Sequence, residues 1–345
     1  MTQHPPDAPH TDRSLLVLGA DEVARLLAGR ERALIDLAAE AYRVHGRGDS
    51  RLPQAEFLRF PGRVRERIIP KTGYLGGARP AAGIKWISSF PDNVGLGLPR
   101  ASAVIVLNCL HTGRPTTLME GAQISGQRTA AAAALAARVL HAGERYRAVG
   151  VVGCGPISAE TLRFLRADAR PIGAVLLHDL QTERAQALAG QLRAAGFVGE
   201  IGLAGSAAEV LASAELVLFA TSAVEPTVHD LADCRPETTV LHVSLRDFGV
   251  PAVLAADNLT DDIDHVLQAN TSLHRAAQQL GHHRFLRATL AQVLAGEAPP
   301  RQGDRPVIVH PFGLAALDLA FAEQVARLAR AEGRGVRLPD FLPAA

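Results

Sequence analysis

The 345-residue chain has little cysteine and no clear excess of either charge. Its three cysteines, Cys109, Cys154 and Cys234, are widely spaced, which is typical of reduced thiols rather than of disulfides or a metal site. The 36 Lys and Arg residues nearly balance 35 Asp and Glu residues, so the formal net charge is +1. This balance gives no electrostatic basis for binding nucleic acid or an anionic membrane. We therefore expect neither partner, and no metal.

The chain also lacks a long apolar run. No run reaches the roughly 18 residues that a membrane span needs. Residues 1–14 are polar and rich in proline, without the apolar core of a signal peptide, and we therefore expect a cytoplasmic protein. Apolar residues still make up 48% of the chain, which is enough for sizeable cores, and the length favours two domains.

The most informative pattern begins at residues 149–152, an apolar run that predicts a buried strand. Gly153 and Gly155 follow and allow a tight turn, and residues 157–165 have the pattern of a helix. Glycines at such a turn let the backbone approach a pyrophosphate at the helix N-terminus, where free amides and the helix dipole favour anions. A Gly-x-Gly pair alone also marks ordinary turns, but here the strand before it and the helix after it favour nucleotide binding.

A second apolar run, residues 174–177, predicts the next strand, and Asp179 follows it. An acid at this point can accept hydrogen bonds from the adenosine ribose, and its charge would repel a 2′-phosphate. We therefore predict that the cofactor is NAD rather than NADP, although Ser158 replaces the third small residue of the fingerprint. The predicted cofactor contacts are Gly153, Gly155, Pro156, Ile157, Asp179, Thr221, Ser222, Val243, Ser244 and Gly313.

Strand and helix patterns alternate through the middle of the chain, which predicts an α/β fold with a doubly wound parallel sheet of the Rossmann type. Short strands before it predict a mixed α+β domain containing an antiparallel sheet. The predicted strands are residues 14–18, 67–71, 82–88, 102–108, 149–152, 174–177, 216–220, 239–243 and 307–309. The predicted helices are residues 21–27 with Asp21 as N-cap, 31–47, 125–141, 157–165, 272–279, 284–295 and 314–332.

The segment that precedes the predicted Rossmann region should hold the substrate. Its candidate substrate-binding residues are cations. Lys85 lies in a predicted strand, and Arg128 lies at the predicted start of the alanine-rich helix, where its charge opposes the dipole. Binding a carboxylate through a bidentate fork would explain this position of Arg128, and a salt bridge to an acid such as Glu120 is the alternative. Lys85 could instead face outward from its strand. Arg51 and Lys71 are weaker candidates.

Asp247 is the candidate acid–base residue. It follows the strand at residues 239–243, at the carboxyl edge of the sheet, where ligands bind in doubly wound folds. An aspartate there can act as a general base, and the alternative is a helix cap or an ion pair with Arg246. The polar segment at residues 261–265 lacks the Cys or His spacing of a metal site.

Several motifs resemble those of the ornithine cyclodeaminase/μ-crystallin family, in the same order and over residues 15–332. They are residues 83–93, 100–103, 112–115 and 128–131. The resemblance implies a homodimer in which a substrate-binding and dimerisation domain is built from both chain ends, residues 1–127 and 318–345. A Rossmann domain at residues 128–317 would bind NAD.

Within the family, the chain most resembles the branch that forms L-2,3-diaminopropionate for siderophores or peptide antibiotics. The segments that suggest this are residues 74–77, 85–90, 244–247, 261–265 and 310–313. The branch implies an oxidoreductase acting on a CH–NH bond, which converts N-(2-amino-2-carboxyethyl)-L-glutamate, NAD+ and water into 2-oxoglutarate, L-2,3-diaminopropionate and NADH. The resemblance also implies that Lys85 and Arg128 bind the substrate carboxylate beside the nicotinamide. We expect Asp247 and Lys85 to be the catalytic residues.

Other activities remain open. Around Asp247 the cyclodeaminase pattern is Gly-Gly-Asp-Cys-Pro-Gly, whereas this chain has Ser-Leu-Arg-Asp-Phe-Gly, a difference that disfavours ornithine cyclisation. The alternatives are an ornithine cyclodeaminase, a ketimine reductase or alanine dehydrogenase of the same family, and a non-enzymatic NAD(H)-binding protein of the μ-crystallin type. The joint presence of Lys85, Arg128 and Asp247 favours an enzyme.

Overall fold

The computed structural model describes residues 12–54, 56–168, 170–301 and 303–344. The N-terminal residues 1–11, most of the polar segment from which the absence of a signal peptide is predicted, lie outside this range. The strands of the described residues are β1 (Leu15–Leu18), β2 (Ser50–Arg51), β3 (Leu58–Phe60), β4 (Arg63–Leu75), β5 (Ala81–Ser89), β6 (Ala101–Asn108), β7 (Pro115–Glu120), β8 (Tyr146–Val152), β9 (Ile172–His178), β10 (Glu200–Leu203), β11 (Leu216–Phe219), β12 (Thr239–His242), β13 (Asp257–Thr260), β14 (Leu286–Thr289), β15 (Val307–His310) and β16 (Val336–Leu338).

The helices of the same residues follow in chain order. They are α1 (Ala20–Leu27), α2 (Glu31–Gly46), α3 (Ala122–Leu140), α4 (Pro156–Ala167), α5 (Thr182–Ala194), α6 (Ala207–Ser213), α7 (Val250–Leu254), α8 (Ile263–Val266), α9 (Ser272–Leu280), α10 (Leu290–Ala295) and α11 (Ala315–Ala331), with a short 3-10 helix at Pro91–Leu96. No helix in the described part of the chain is both long and apolar enough to cross a membrane.

The chain divides into two compact units. Unit 1 contains the chain up to Arg30, Val44–Arg128 and the chain from Ala315 onward, and unit 2 contains Glu31–Arg43 and Thr129–Leu314. The sequence-based division assigned all of α2 to the domain of the chain ends, whereas most of this helix, Glu31–Arg43, belongs to unit 2. Its side chains explain the difference, because Glu31 pairs with Arg163, and Asp36 Oδ1 lies 2.6 Å from Arg138 Nη1.

Unit 1 is built on a mixed sheet. The strand order is β16-β1-β7-β6-β5-β4-β2, with β3 paired to β4. Strands β4 to β7 are antiparallel neighbours, as predicted, and β1 runs parallel to β7. Helix α11 packs on β4, β5 and β6. The approach is close, since a Cβ at Gly73 in β4 would lie 3.3 Å from Ala315 Cβ.

Unit 2 is built on a parallel sheet with the order β10-β9-β8-β11-β12-β15-β13-β14. Every neighbouring pair is parallel. The chain moves outward from β8 to β10 on one side and then returns to add β11 and β12 on the other, as in a doubly wound sheet. The side chains of β11, β12 and β15 are all buried, which is typical of parallel strands covered on both faces. The predicted fold class is confirmed.

Two local predictions were wrong. Residues 284–295 do not form one helix, because β14 occupies Leu286–Thr289 and α10 begins at Leu290. A capping box explains this start: the Thr289 side chain accepts from Gln292 N–H while the Gln292 side chain accepts from the Thr289 N–H. Asp21 is not an N-cap either, since α1 begins at Ala20 after Gly19 and Asp21 lies in its first turn.

Candidate functional site

The glycine turn of unit 2 lies between β8 and α4. Gly153 has φ +90°, and a Cβ there would lie 2.7 Å from Ala220 O, so the position requires glycine. Gly155 precedes α4 without a side-chain cap, and a Cβ at Gly155 would meet no atom within 4 Å. The start of α4, at Pro156 and Ile157, therefore has open space beside Gly155, as binding of a pyrophosphate requires.

Ser158 fits this turn although it departs from the fingerprint. Its side chain is fully buried, and its hydroxyl donates to Gly153 O over 2.5 Å. The hydroxyl thus satisfies a carbonyl of the turn itself, which a third glycine or alanine could not do.

The acid after β9 lies against the glycine turn. Asp179 Oδ2 accepts from Cys154 N–H at 2.8 Å, and Oδ1 accepts from Gln181 N–H at 2.9 Å. Burial raises the pKa of the Cys154 thiol to about 12, and the charge of Asp179 adds to this effect. The turn therefore presents a neutral thiol beside a carboxylate that is held by two backbone amides.

A second polar cluster lies where β11 and β12 end. Asp247 is fully buried, and its carboxylate accepts from Thr221 Oγ1 and from Ser244 Oγ, both at 2.5 Å. Leu245 has φ +70°, a left-handed conformation that is strained for leucine and that belongs to the turn carrying Asp247. Of the remaining predicted cofactor contacts in this region, Ser222 follows Thr221 and is exposed, and Val243 lies directly after β12.

Two histidines behind Asp247 were missed by the sequence analysis. His242 Nε2 lies 3.0 Å from Asp247 Oδ2, and His242 Nδ1 lies 2.8 Å from His310 Nδ1. His310 Nε2 lies 3.0 Å from Asn258 Oδ1. His242 and His310 end two buried strands that are otherwise apolar or hydroxyl-bearing, and this was the available signal.

Gly313 lies in a turn that an aspartate holds. Asp261 Oδ2 accepts from Gly313 N–H at 2.7 Å, and Oδ1 accepts from Phe312 N–H at 2.9 Å. The neighbouring Asp262 caps α8 and pairs with His265 at 2.9 Å. The carboxylates of Asp261 and Asp262 therefore hold backbone N–H groups of the neighbouring turn and helix in place. Among the described residues there is no group of three or more His, Cys, Asp or Glu side chains that could hold a metal ion.

The cationic cluster of unit 1 surrounds one carboxylate that the sequence analysis also missed. Lys85 in β5 is almost fully buried, and its Nζ lies 2.7 Å from Asp318 Oδ2 and 3.1 Å from Ser125 Oγ. Arg128 Nε lies 2.9 Å from Asp318 Oδ1. Lys85 therefore does not face outward. The signal for Asp318 was a single charge in an otherwise apolar stretch of α11.

Arg128 is not at a helix N-terminus. Helix α3 begins at Ala122, so Arg128 lies in its second turn and the argument from the helix dipole was wrong. Glu120 is not its partner, because the carboxylate of Glu120 accepts from the N–H groups of Ala122 and Gln123. The buried ion pair with Asp318 explains the position of Arg128 in place of the helix dipole and of a salt bridge to Glu120.

The other two candidate cations differ in their surroundings. Lys71 and Lys85 are the only lysines of the chain, and they lie directly opposite each other in the register of β4 and β5. Arg51 Nη1 instead donates to Gly48 O at 3.0 Å and Ser50 O at 2.6 Å. The structure thus groups Lys71 with the Lys85 cluster and shows Arg51 bonding to its own turn.

Burial dominates the electrostatics of this cluster. It lowers the pKa of Lys85 to about 7, an effect that Asp318 opposes and that Arg128 and Lys71 increase. Burial alone would raise the pKa of Asp318, but the charges of Arg128 and Lys85 hold it below its usual value. One carboxylate faces three basic side chains, so the cluster can accept a further anion such as a substrate carboxylate.

The parallel sheet and glycine turn define unit 2 as a dinucleotide-binding domain of the Rossmann type. The profile of the ornithine cyclodeaminase/mu-crystallin family matches residues 31–333, and the chain belongs to this family, as predicted.

Similar proteins are known in several species. The chain is 26% identical to the N-((2S)-2-amino-2-carboxyethyl)-L-glutamate dehydrogenase of Staphylococcus aureus, over 95% of this chain and 99% of that protein. Two solved structures share the fold. They are the Delta(1)-pyrroline-2-carboxylate reductase of Thermococcus litoralis with NADH and L-proline (TM-score 0.85, 24% identity, 93% and 99% of the two chains) and an archaeal alanine dehydrogenase dimer with NAD (TM-score 0.82, 24% identity, 94% and 99%).

The depressed pKa of Lys85 predicts a pH-dependent contribution to stability. The pKa of Lys85 is about 7 in the folded chain and 10.5 in the reference state, so the unfolded chain binds more protons between these values. Relative to Lys85→Met, the wild type should therefore gain stability as the pH rises through this window, by up to about 1.4 kcal/mol per pH unit. Urea unfolding of both proteins at several pH values measures this, and a flat difference would contradict it.

Proposed function

We propose that the protein is an NAD-dependent oxidoreductase that oxidises the CH–NH bond of N-(2-amino-2-carboxyethyl)-L-glutamate. Water completes the reaction, and the products are 2-oxoglutarate and L-2,3-diaminopropionate, a building block for siderophores or peptide antibiotics. The observation that carries the proposal is the buried set of Lys85, Arg128 and Asp318 in a family member whose similarity to the Staphylococcus aureus enzyme spans nearly the whole chain.

The glycine turn supports NAD as the cofactor. The uncapped start of α4 fits a pyrophosphate, and Asp179 supplies a carboxylate at the turn for the ribose hydroxyls. Its negative charge disfavours the 2′-phosphate of NADP. When bound, NAD+ supplies the hydride acceptor, and the protein supplies binding, orientation and charge.

Lys85 and Arg128 fit the binding of an α-carboxylate. The Arg128 guanidinium has donors beyond the Nε that contacts Asp318, and a planar fork can hold a carboxylate through two parallel hydrogen bonds. Lys85 adds a buried point charge, and Asp318 fixes the direction of both side chains. Holding the carboxylate in one position also orients the adjacent C–H bond, an effect that can lower a barrier by several kcal/mol.

Asp247 fits the role of proton acceptor. The substrate's secondary amine must lose a proton so that the nitrogen lone pair forms the C=N bond as the hydride leaves the α-carbon. Water then adds to that carbon and loses one proton. The new hydroxyl group loses its own proton to form the C=O bond as the C–N bond breaks, with both electrons of that bond moving to the amine nitrogen, which takes up a proton. Asp247 accepts the first proton and activates the water. Burial alone would raise the pKa of its carboxyl group, but the neighbouring His242 and the Ser244 and Thr221 hydroxyls hold this pKa below its usual value.

The reaction can be tested directly by supplying N-(2-amino-2-carboxyethyl)-L-glutamate and NAD+. We expect one NADH, one 2-oxoglutarate and one L-2,3-diaminopropionate per substrate, followed at 340 nm and by mass spectrometry. Asp247→Asn should retain NAD+ binding and lower kcat on the order of 100-fold or more. Proline formation from ornithine without net NADH would support a cyclodeaminase instead. Reduction of cyclic imines alone would support a ketimine reductase, and tight NAD(H) binding without turnover would support a binding protein.

Cofactor choice should depend on Asp179. Asp179→Asn keeps an acceptor for Cys154 N–H but removes the negative charge, so it should raise KM for NAD+ and relax discrimination against NADP+. The loss of a charged hydrogen bond corresponds to about 1.5–3 kcal/mol. Steady-state kinetics with both cofactors measures the change, with the exposed Asp230→Asn as a matched control. Equal use of NAD+ and NADP+ by the wild type would overturn the assignment.

We also propose that the protein is a homodimer that associates through the outer face of β5 and β6. Trp86 and Val104 lie opposite each other on this face and are 42% and 41% exposed, an unusual position for a tryptophan. The similar archaeal alanine dehydrogenase is a dimer.

Sedimentation equilibrium should give twice the chain mass of 36.5 kDa at micromolar concentration. Trp86→Glu should shift the protein to monomer because it places a charge in the interface, whereas Val198→Glu, at an exposed apolar residue of unit 2, should not. A wild type that sediments only as a monomer would refute the dimer.

A further inference from the structure

A buried row of polar side chains crosses neighbouring strands of unit 2. The sheet order places β13, β15 and β12 side by side, and each contributes one buried polar residue: Asn258 near the start of β13, His310 at the end of β15 and His242 at the end of β12. The row ends at Asp247, which follows β12. All four residues are at most 1% exposed. A row of this kind is costly to bury unless its hydrogen bonds are satisfied, so its proton count matters.

Asn258 fixes the direction of the row. Its Nδ2 lies 2.7 Å from Val253 O and 3.1 Å from Ala256 O, so the amide nitrogen is committed to two carbonyls. Oδ1 therefore faces His310, and His310 Nε2 must carry the hydrogen of that contact. Burial keeps the pKa of His310 well below its ordinary value, so the ring is neutral and its Nδ1 is an acceptor.

The row has one contact more than it has hydrogens. His242 Nε2 accepts the Asp247 N–H, so the ring hydrogen of a neutral His242 lies on Nδ1 and donates to His310 Nδ1. Three contacts join the four groups, both ends are acceptors, and two neutral imidazoles supply two hydrogens. The gap falls between His242 Nε2 and Asp247 Oδ2, 3.0 Å apart, where Nε2 also accepts the Asp247 N–H at 3.2 Å.

The surroundings keep this gap open at rest. Burial lowers the pKa of His242, and the charge of Arg246 in the same turn adds to this effect while Asp247 opposes it. Asp261, after β13 at the same end of the sheet, binds the backbone amides of the turn that follows β15, and Asp179, after β9, binds the amides of Cys154 and Gln181. The rings of Phe219 and Phe248 both pack edge-on against His242, at 6.3 and 4.7 Å between centroids, and form apolar walls.

We propose that the His242–His310 row is the proton store of Asp247: a proton accepted by the carboxylate is held between Oδ2 and His242 Nε2, where it completes the row. The proposal rests on the function proposed above. The proton leaves the substrate nitrogen, whose electron pair remains on that nitrogen, and the row returns one proton to the amine when the C–N bond breaks. His242 and His310 act through Asp247 and are positioning residues. Together they give the weakly basic carboxylate of Asp247 a second atom, His242 Nε2, that can bind the proton.

The proton count can be measured without any substrate. In protein labelled with 15N-histidine, with signals assigned through His242→Gln and His310→Gln, we expect two ring N–H groups at about pH 8, on His242 Nδ1 and His310 Nε2. A third, on His242 Nε2, should appear only as the pH is lowered below the ordinary titration range of histidine, because burial lowers the pKa of His242. A hydrogen on His242 Nε2 already at pH 8 with a bare Nδ1, or no third hydrogen before the protein unfolds, would overturn the proposal.

Kinetics test the same row in the working enzyme. His242→Gln can still donate to Asp247 but cannot take up a proton. We expect kcat for NADH formation to fall by about tenfold or more, and the acid limb of its pH profile to move to lower pH because Asp247 then titrates alone. His229→Gln, the same change at an exposed histidine of unit 2, should alter neither. A loss of stability with an unchanged pH profile would mean that His242 is only structural.

The two experiments separate the two proposals. If no candidate substrate yields NADH, the proposed function fails, and the NMR experiment still decides whether the row stores a proton. If NADH forms but the third hydrogen never appears, the function stands and the proton store fails.

Discussion

One carboxylate, Asp318, holds together the cationic side of unit 1. It lies on α11 and contacts Lys85 on β5 and Arg128 on α3, so one buried group links a strand and two helices. Two cations could not be buried there without a counter-charge, because removing one partner of such a pair costs several kcal/mol. The arrangement therefore fixes the side chains that the proposed substrate carboxylate would meet.

The same carboxylate makes the site adjustable. Asp318 neutralises one charge of the cluster, and burial brings the pKa of Lys85 to about 7. A lysine whose pKa lies near neutral pH can take up a proton when an anion binds beside it, whereas an arginine is always protonated and could not change its charge. This difference offers a physical reason why a chain so rich in arginine has a lysine at position 85.

In unit 2 the site depends on the parallel sheet, which places the carboxyl ends of neighbouring strands close together. Because β11, β12, β15 and β13 are neighbours, residues far apart in the chain meet at one edge of the sheet. Thr221, His242 and His310 come together in this way around Asp247. The hydrogen bonds of Asp261 hold the turn after β15, and the turn that carries Asp247 holds Leu245 in a strained conformation.

The sequence determined the features that depend on local pattern. Apolar runs of strand length and the Gly153 turn predicted the parallel sheet and the position of Asp179, because tight turns and buried strands each restrict which residues can occupy them. Only the tertiary structure decided the partners of the charged groups. Arg128 and Asp318 are 190 residues apart, and His242 and His310 are 68 apart. No pattern in the local sequence pairs such residues. An ion pair or a buried row of polar side chains depends on which strands and helices become neighbours.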